Sequence, residues 1–329
     1  MNANRMRERA KFGISWLVLR LLPLALLSGL GLAGHAAAQV AAPSLNPFSF
    51  VTENPATMQW GSPSRVGVGV VQGQSVSDPA GSGHDNLSGL AGGLRLVGGR
   101  FSFAIDGSQI QSANKPNNDQ SEYVNTARGA LGVRLGDSVA LGIGQANQQI
   151  QSPGAAVPTR VTIETPQYGV SLRLGEWFFL GGTLGTDAYK FEDQAASANN
   201  FSTKRDVFKY GVGMRTAGGV RTHLEYYVVD HSAFSDSSLS GGRENARTGV
   251  FEFNFGGFLV GYTTTHVERE EGFPNTDLER ADIGYAPFEG MTVLARGEFK
   301  TDKMPPGGPI KSETLTTYTL ALTYLFKGM

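Results

Sequence analysis

From Arg65 onward the chain alternates between apolar side chains and small or polar ones. The clearest stretch is the last. Tyr318, Leu320, Leu322, Tyr324 and Phe326 fall on one side of an extended strand, and Thr317, Thr319, Ala321 and Thr323 on the other. The same period of two recurs at Val66–Val70, Phe101–Ile105, Leu131–Leu135, Tyr168–Leu174, Phe208–Met214, Val220–Val228, Phe251–Phe255 and Ala281–Tyr285. Counted along the chain, the pattern predicts about fourteen strands.

The connections alternate in length. Gly98-Gly99-Arg100, Gly136-Asp137-Ser138, Gly175-Glu176-Trp177, Ala217-Gly218-Gly219, Gly256-Gly257 and Phe288-Glu289-Gly290 read as tight turns, and longer polar links separate them. Short turns at one end and long loops at the other predict an all-β fold, an antiparallel transmembrane β-barrel of about 14 strands spanning 65–329. Aromatic residues gather near strand ends (Trp177, Phe178, Phe258, Tyr262, Phe288, Tyr324, Phe326), as at the two interfaces of a bilayer. Hydrocarbon offers no partner to an open strand edge, so the first strand is expected to pair with the last.

The first 64 residues do not follow this pattern. Arg5, Arg7, Arg9 and Lys11 precede an apolar run from Leu17 to Ala33, and small residues at Ala36 and Ala38 stand before Gln39. Residues 1–38 therefore read as a cleaved secretory signal peptide, which places the product in the outer membrane of a Gram-negative bacterium. Residues 39–64 carry Pro43, Pro47, Pro55 and Pro63 among Phe48, Phe50, Met58 and Trp60, too many prolines for long regular elements. They form either a plug inside the barrel or an N-terminal tail.

With the apolar set turned to lipid, the alternate set faces the lumen. It contains Arg134, Arg173, Arg215, Arg221, Glu225, Glu252, Arg280, Asp282, Arg296 and Glu298. Both signs occur on neighbouring strands, which predicts a hydrated lumen braced by cross-strand ion pairs. A barrel of this size leaves a channel unless something fills it.

Net charge is −1 and gives no reason to expect a nucleic-acid partner; cysteine is absent, which removes disulfides and thiolate metal sites. There is no Gly-x-Ser-x-Gly, no His-Glu-x-x-His and no phosphate loop. His223 and Glu225 share a face without a serine motif, and the acidic stretch Glu268–Glu279 is interrupted by Arg269, so it reads as a solvated loop. The expectation is a protein that is not an enzyme and holds no metal or cofactor.

Asn54-Pro55-Ala56-Thr57-Met58-Gln59-Trp60, followed by Arg65-Val66-Gly67-Val68-Gly69, resembles the start of the long-chain fatty-acid transporter (FadL-type) family of outer-membrane barrels. The resemblance implies a hatch made by Asn54, Pro55, Ala56, Met58, Trp60, Phe48 and Phe50, plugging fourteen strands. It also implies passive uptake of a small, hydrophobic molecule. The partners expected are outer-membrane lipid, a small-molecule substrate and the barrel-assembly machinery during biogenesis. A porin-like diffusion channel for small polar solutes, and a non-transporting surface barrel that presents its loops, remain alternatives.

Overall fold

A computed structural model of the chain describes residues 40–41, 50–60, 64–78, 84–115, 122–152, 159–193, 200–216, 219–235, 243–270, 274–303 and 312–326. The signal segment 1–38 and Phe48 lie outside the described residues. Fourteen strands follow one five-residue 3-10 helix, Pro55–Gln59. They are β1 (Ser64–Asp78), β2 (His84–Gly98), β3 (Phe101–Lys115), β4 (Glu122–Leu135), β5 (Val139–Ser152), β6 (Thr159–Leu174) and β7 (Phe178–Asp193). The second half is β8 (Phe201–Arg215), β9 (Val220–His231), β10 (Glu244–Phe255), β11 (Phe258–Arg269), β12 (Asn275–Phe288), β13 (Met291–Lys303) and β14 (Ser312–Phe326).

Each strand pairs antiparallel with its neighbours in sequence, and β1 pairs with β14 from Ser64↔Phe326 to Asp78↔Ser312. The sheet is a closed barrel, so no strand edge is left without a partner. Two places depart from a regular ladder. The register shifts between Tyr285 and Phe288 on β12, and the β6–β7 ladder skips Thr165 and Pro166. Pro166 has no N–H to give, so the ladder must open there.

The apolar alternate set points outward and stays bare. Leu90, Phe101, Tyr168 and Phe288 are between 64% and 71% exposed. A ring of exposed valine, leucine and aromatic side chains right around a molecule is far larger than any apolar patch that water tolerates, and it fits a lipid boundary.

The strands are 12 to 16 residues long, whereas a tilted strand crosses the hydrocarbon in about 9–11. The surplus lies at the loop end. There the outward positions turn polar: Gln72 and Gln74 on β1, Gln145 and Asn147 on β5, Asp206 and Lys204 on β8. The inward positions of the same stretch turn apolar instead, with Val71, Ile110, Val124 and Ile150 forming one buried cluster. The barrel wall therefore reverses its polarity where it leaves the membrane. The expectation of one apolar face and one polar face along the whole of each strand holds only for the turn-side half.

Candidate functional site

Residues 40–41 and 50–60 lie inside the barrel. Val40, Ala41, Phe50, Ala56, Met58 and Trp60 are all 5% exposed or less. Each apolar hatch side chain meets a patch of wall: Phe50 meets Ala91, Leu259, Leu294 and Ala321; Met58 meets Ala104 and Ala130; Trp60 meets Ala140 and Phe179. The Trp60 and Phe179 rings stand 6.4 Å apart, and Arg65 lies 5.6 Å over the Phe50 ring. Phe50, Asn54, Pro55, Ala56, Met58 and Trp60 thus come together in the lumen.

Asn54 organises the hatch. Its Oδ1 accepts from the Ala56 amide at 3.0 Å and starts the 3-10 helix, while its Nδ2 donates to the carbonyls of Val40 and Val170, each at 2.8 Å. Pro55 follows at the first helical position, where a missing N–H costs nothing. Gln59 Nε2 donates to the Ser102 hydroxyl and the Gly132 carbonyl at 2.7 Å, and the Trp60 indole N–H donates to the Ser171 hydroxyl at 2.9 Å.

The wall makes room for this segment with glycine. A Cβ on Gly93 would stand 2.6 Å from the Phe50 ring, and one on Gly142, Gly169 or Gly181 would overlap Pro55, Asn54 or Val40. These four glycines face inward on β2, β5, β6 and β7, and they form the bed of the hatch.

Charged groups pin the hatch from the side. Arg95 donates to the Phe50 carbonyl, and Asp106 accepts from the Val51 amide at 3.0 Å while it holds Arg128 through two bonds of 2.7 and 2.8 Å. Glu53 pairs closely with Lys209 and stands 4.0 Å from Arg128. Burial alone would raise the Glu53 carboxyl, but the Lys209 ammonium and the Arg128 guanidinium more than reverse that and hold it below the ordinary glutamate value.

The ten lumenal charges named from the sequence separate into two groups. Glu225, Glu252, Arg280, Asp282, Arg296 and Glu298 are each 5% exposed or less, so they are not the hydrated lining that the sequence led one to expect. They are buried together, and five of them are joined by ion pairs: Arg280 and Arg296 to Asp282, and Glu225 and Glu252 to His223. Asp282 and Arg296 lie opposite in register and bond at 2.6 Å; His223 stands between Glu252 at 2.8 Å and Glu225 at 3.3 Å. Glu225 also accepts the amides of Val40 and Ala41 at 2.7 and 2.6 Å, which ties the network to the hatch. Removing one partner from such a network leaves a charge buried without compensation, so its members are held in place. The other four, Arg134, Arg173, Arg215 and Arg221, keep solvent exposure at the turn-side mouth, below the hatch.

On the loop side, the hatch forms the floor of a cavity of about 210 Å³. Val51, Thr52, Glu53 and Pro55 make the floor; Ile163, Val207, Val229 and Leu278 give apolar wall. The ionised groups around it are matched. Arg128, Lys209, Arg205 and Arg269 stand against Asp106, Glu53, Asp187 and Glu244, with Arg205–Asp187 at 3.1 Å and Arg269–Glu244 at 2.8 Å. His231 sits between Glu244 at 3.4 Å and Asp187 at 3.6 Å.

Of these cavity residues the sequence analysis singled out Pro55, as part of the hatch. Among the described residues no group of three or more His, Asp or Glu side chains has the arrangement of a metal site.

No protein-family model and no curated protein sequence matches the chain. Solved structures do. The fold is similar to the CymD monoaromatic hydrocarbon channel, with a TM-score of 0.58 and 9% identity over 90% of this chain and 97% of that one. It is similar to the P. putida toluene transporter TodX, with a TM-score of 0.56 and 6% identity over 90% and 98%. A FadL homologue of Pseudomonas aeruginosa gives a TM-score of 0.58 and 11% identity over 89% and 98%. The fourteen-strand closed barrel of this chain is therefore the fold of the FadL-type outer-membrane barrels.

Proposed function

We propose that the chain is an outer-membrane channel for passive uptake of compact, uncharged, largely apolar molecules, exported by its signal peptide and inserted by the barrel-assembly machinery. The observation that carries this reading is the cavity on the hatch. At about 210 Å³ it exceeds the roughly 150 Å³ of an engineered apolar cavity that holds benzene. Every cation around it already has a carboxylate, so a carboxylate ligand would lose its water without gaining a free partner, a cost of several kcal/mol. A neutral molecule faces no such cost. The apolar patch Val71, Ile110, Val124 and Ile150 lies at the loop end of the lumen and extends apolar wall to the outer mouth. The names of the similar structures, channels for toluene and monoaromatic hydrocarbons, agree with this class.

The seated hatch speaks against a constantly open porin. Direct binding separates the remaining readings. Purified protein titrated with a neutral alkylbenzene and with benzoate should bind the first and reject the second. Val207→Trp, which fills the cavity, should abolish binding while the barrel still assembles. Equal binding of both ligands, or binding indifferent to Val207→Trp, refutes the proposal.

A further inference from the structure

Three arginines occupy equivalent places on three successive return strands. The Arg134 amide donates to the Arg100 carbonyl, that of Arg173 to Ser138 and that of Arg215 to Trp177, each at 2.8 Å. Each bond closes the turn-side end of a neighbouring strand pair, so the three residues share one level at the ends of β4, β6 and β8. The corresponding amides on β12 and β14 belong to Ala286 and Leu325, so the arginines mark one side of the mouth only. By strand alternation their side chains face the lumen. Arg221, second residue of β9, extends the arc and is exposed.

The guanidinium groups of Arg134, Arg173 and Arg221 are under-compensated. Among the described residues no carboxylate lies within ion-pair distance of Arg134, Arg173 or Arg221; Arg221 donates instead to the neutral Asn254 amide at 2.9 Å. The Arg173 Nε is buried and has no hydrogen-bond partner among the described residues. Asp137 and Glu176 stand in the turns beyond, exposed and outside that distance. Arg215 is shared with the hatch, donating to the Trp60 carbonyl at 3.3 Å.

Equivalent positions two strands apart lie about 10 Å from each other, twice the strand spacing. A single phosphate or carboxylate cannot bridge such a gap. A polypeptide in the polyproline II form can, because every third side chain returns to one face about 9 Å further on; Arg221, three strand spacings or about 14 Å beyond Arg173, then falls between the third and fourth acidic side chains of such a repeat. We propose that the turn-side mouth, which in an outer-membrane barrel opens to the periplasm, docks an acidic segment of a partner protein along Arg134, Arg173 and Arg221. This does not depend on what crosses the barrel.

The test uses the full-length mature protein in detergent and a fluorescent dodecapeptide with glutamate at every third position. Its glutamine counterpart and inorganic phosphate serve as competitors. The glutamate peptide should bind saturably at low salt and weaken as salt screens the contact. A combined R134Q, R173Q and R221Q variant should bind it about tenfold more weakly, since three solvent-screened charges each contribute modestly. The matching lysine variant should retain binding. The turn amides remain in both variants, and unchanged heat-modifiable migration in a gel reports an intact barrel. Equal binding of the glutamine peptide, equal affinity of the glutamine variant, or displacement by millimolar phosphate beyond that of chloride at the same ionic strength would overturn the proposal.

Discussion

Glu53 is the residue on which electrostatic docking of the hatch turns. Its carboxyl is held below the ordinary glutamate value, so its contribution is fully present at neutral pH, declines once pH falls below the ordinary glutamate value, and is gone when pH has fallen through the lowered value. Conductance or protease cleavage of the hatch, followed from pH 7 into strong acid, should show loosening only at the acid end. Glu53→Gln should loosen the hatch at every pH and flatten that profile. It leaves Lys209 with no carboxylate partner, a loss of about 3–5 kcal/mol in docking. Asn54→Asp tests the other anchor. An aspartate keeps the cap on Ala56 but gives no Nδ2, so the carbonyls of Val40 and Val170 lose their donor at about 1–3 kcal/mol. Faster amide exchange confined to the hatch would report it. Asn54-Pro55 was legible in the sequence because a rigid turn is local chemistry. Glu53 was not, because its partner Lys209 lies 156 residues away and nothing local links them.

At the scale of elements, the inward glycines and the change of polarity along each strand decide where the hatch and the cavity sit. The glycines of the bed look like ordinary small residues of an alternating strand, since sequence cannot show what lies across the lumen. Gly169→Ala should dislodge Asn54 without weakening the β5–β6 or β6–β7 ladders. Single-channel recording should then show openings that the native protein lacks, with unchanged barrel migration in gels. The polarity reversal did leave a trace. Val70 faces lipid and the adjacent Val71 faces the lumen; Ile143 faces out and Ile150 faces in, an odd number of residues apart. An odd offset between apolar residues of one strand means a change of face, and it marks where the wall leaves the membrane.

For the whole molecule, closure and plugging are separate properties. The barrel closes through β1 and β14 with no help from the hatch, so removal of residues 39–60 should leave a folded pore. Planar-bilayer conductance should change from brief or absent events to a steady open level. A deletion variant that stays closed would show that something other than the hatch seals the lumen. The hatch and the ion-pair networks together occupy the lumen of a barrel of fourteen strands. Their side chains fill the space that strand number alone would leave open.

What the sequence determined by itself is the wall: the number of strands, their order, the side that meets lipid and the Asn-Pro element of the hatch. Each of these is written in a period of two or in the chemistry of neighbours along the chain. What only the tertiary structure decided is the contents of that wall. The seating of the hatch on glycines, the burial of six charges thought to be wet, and the cavity on the hatch join residues far apart along the chain, Val40 and Glu225 at 185 positions among them. Alternation tells a side chain which way to point, but only the closed ring brings opposite walls close enough to determine what it meets.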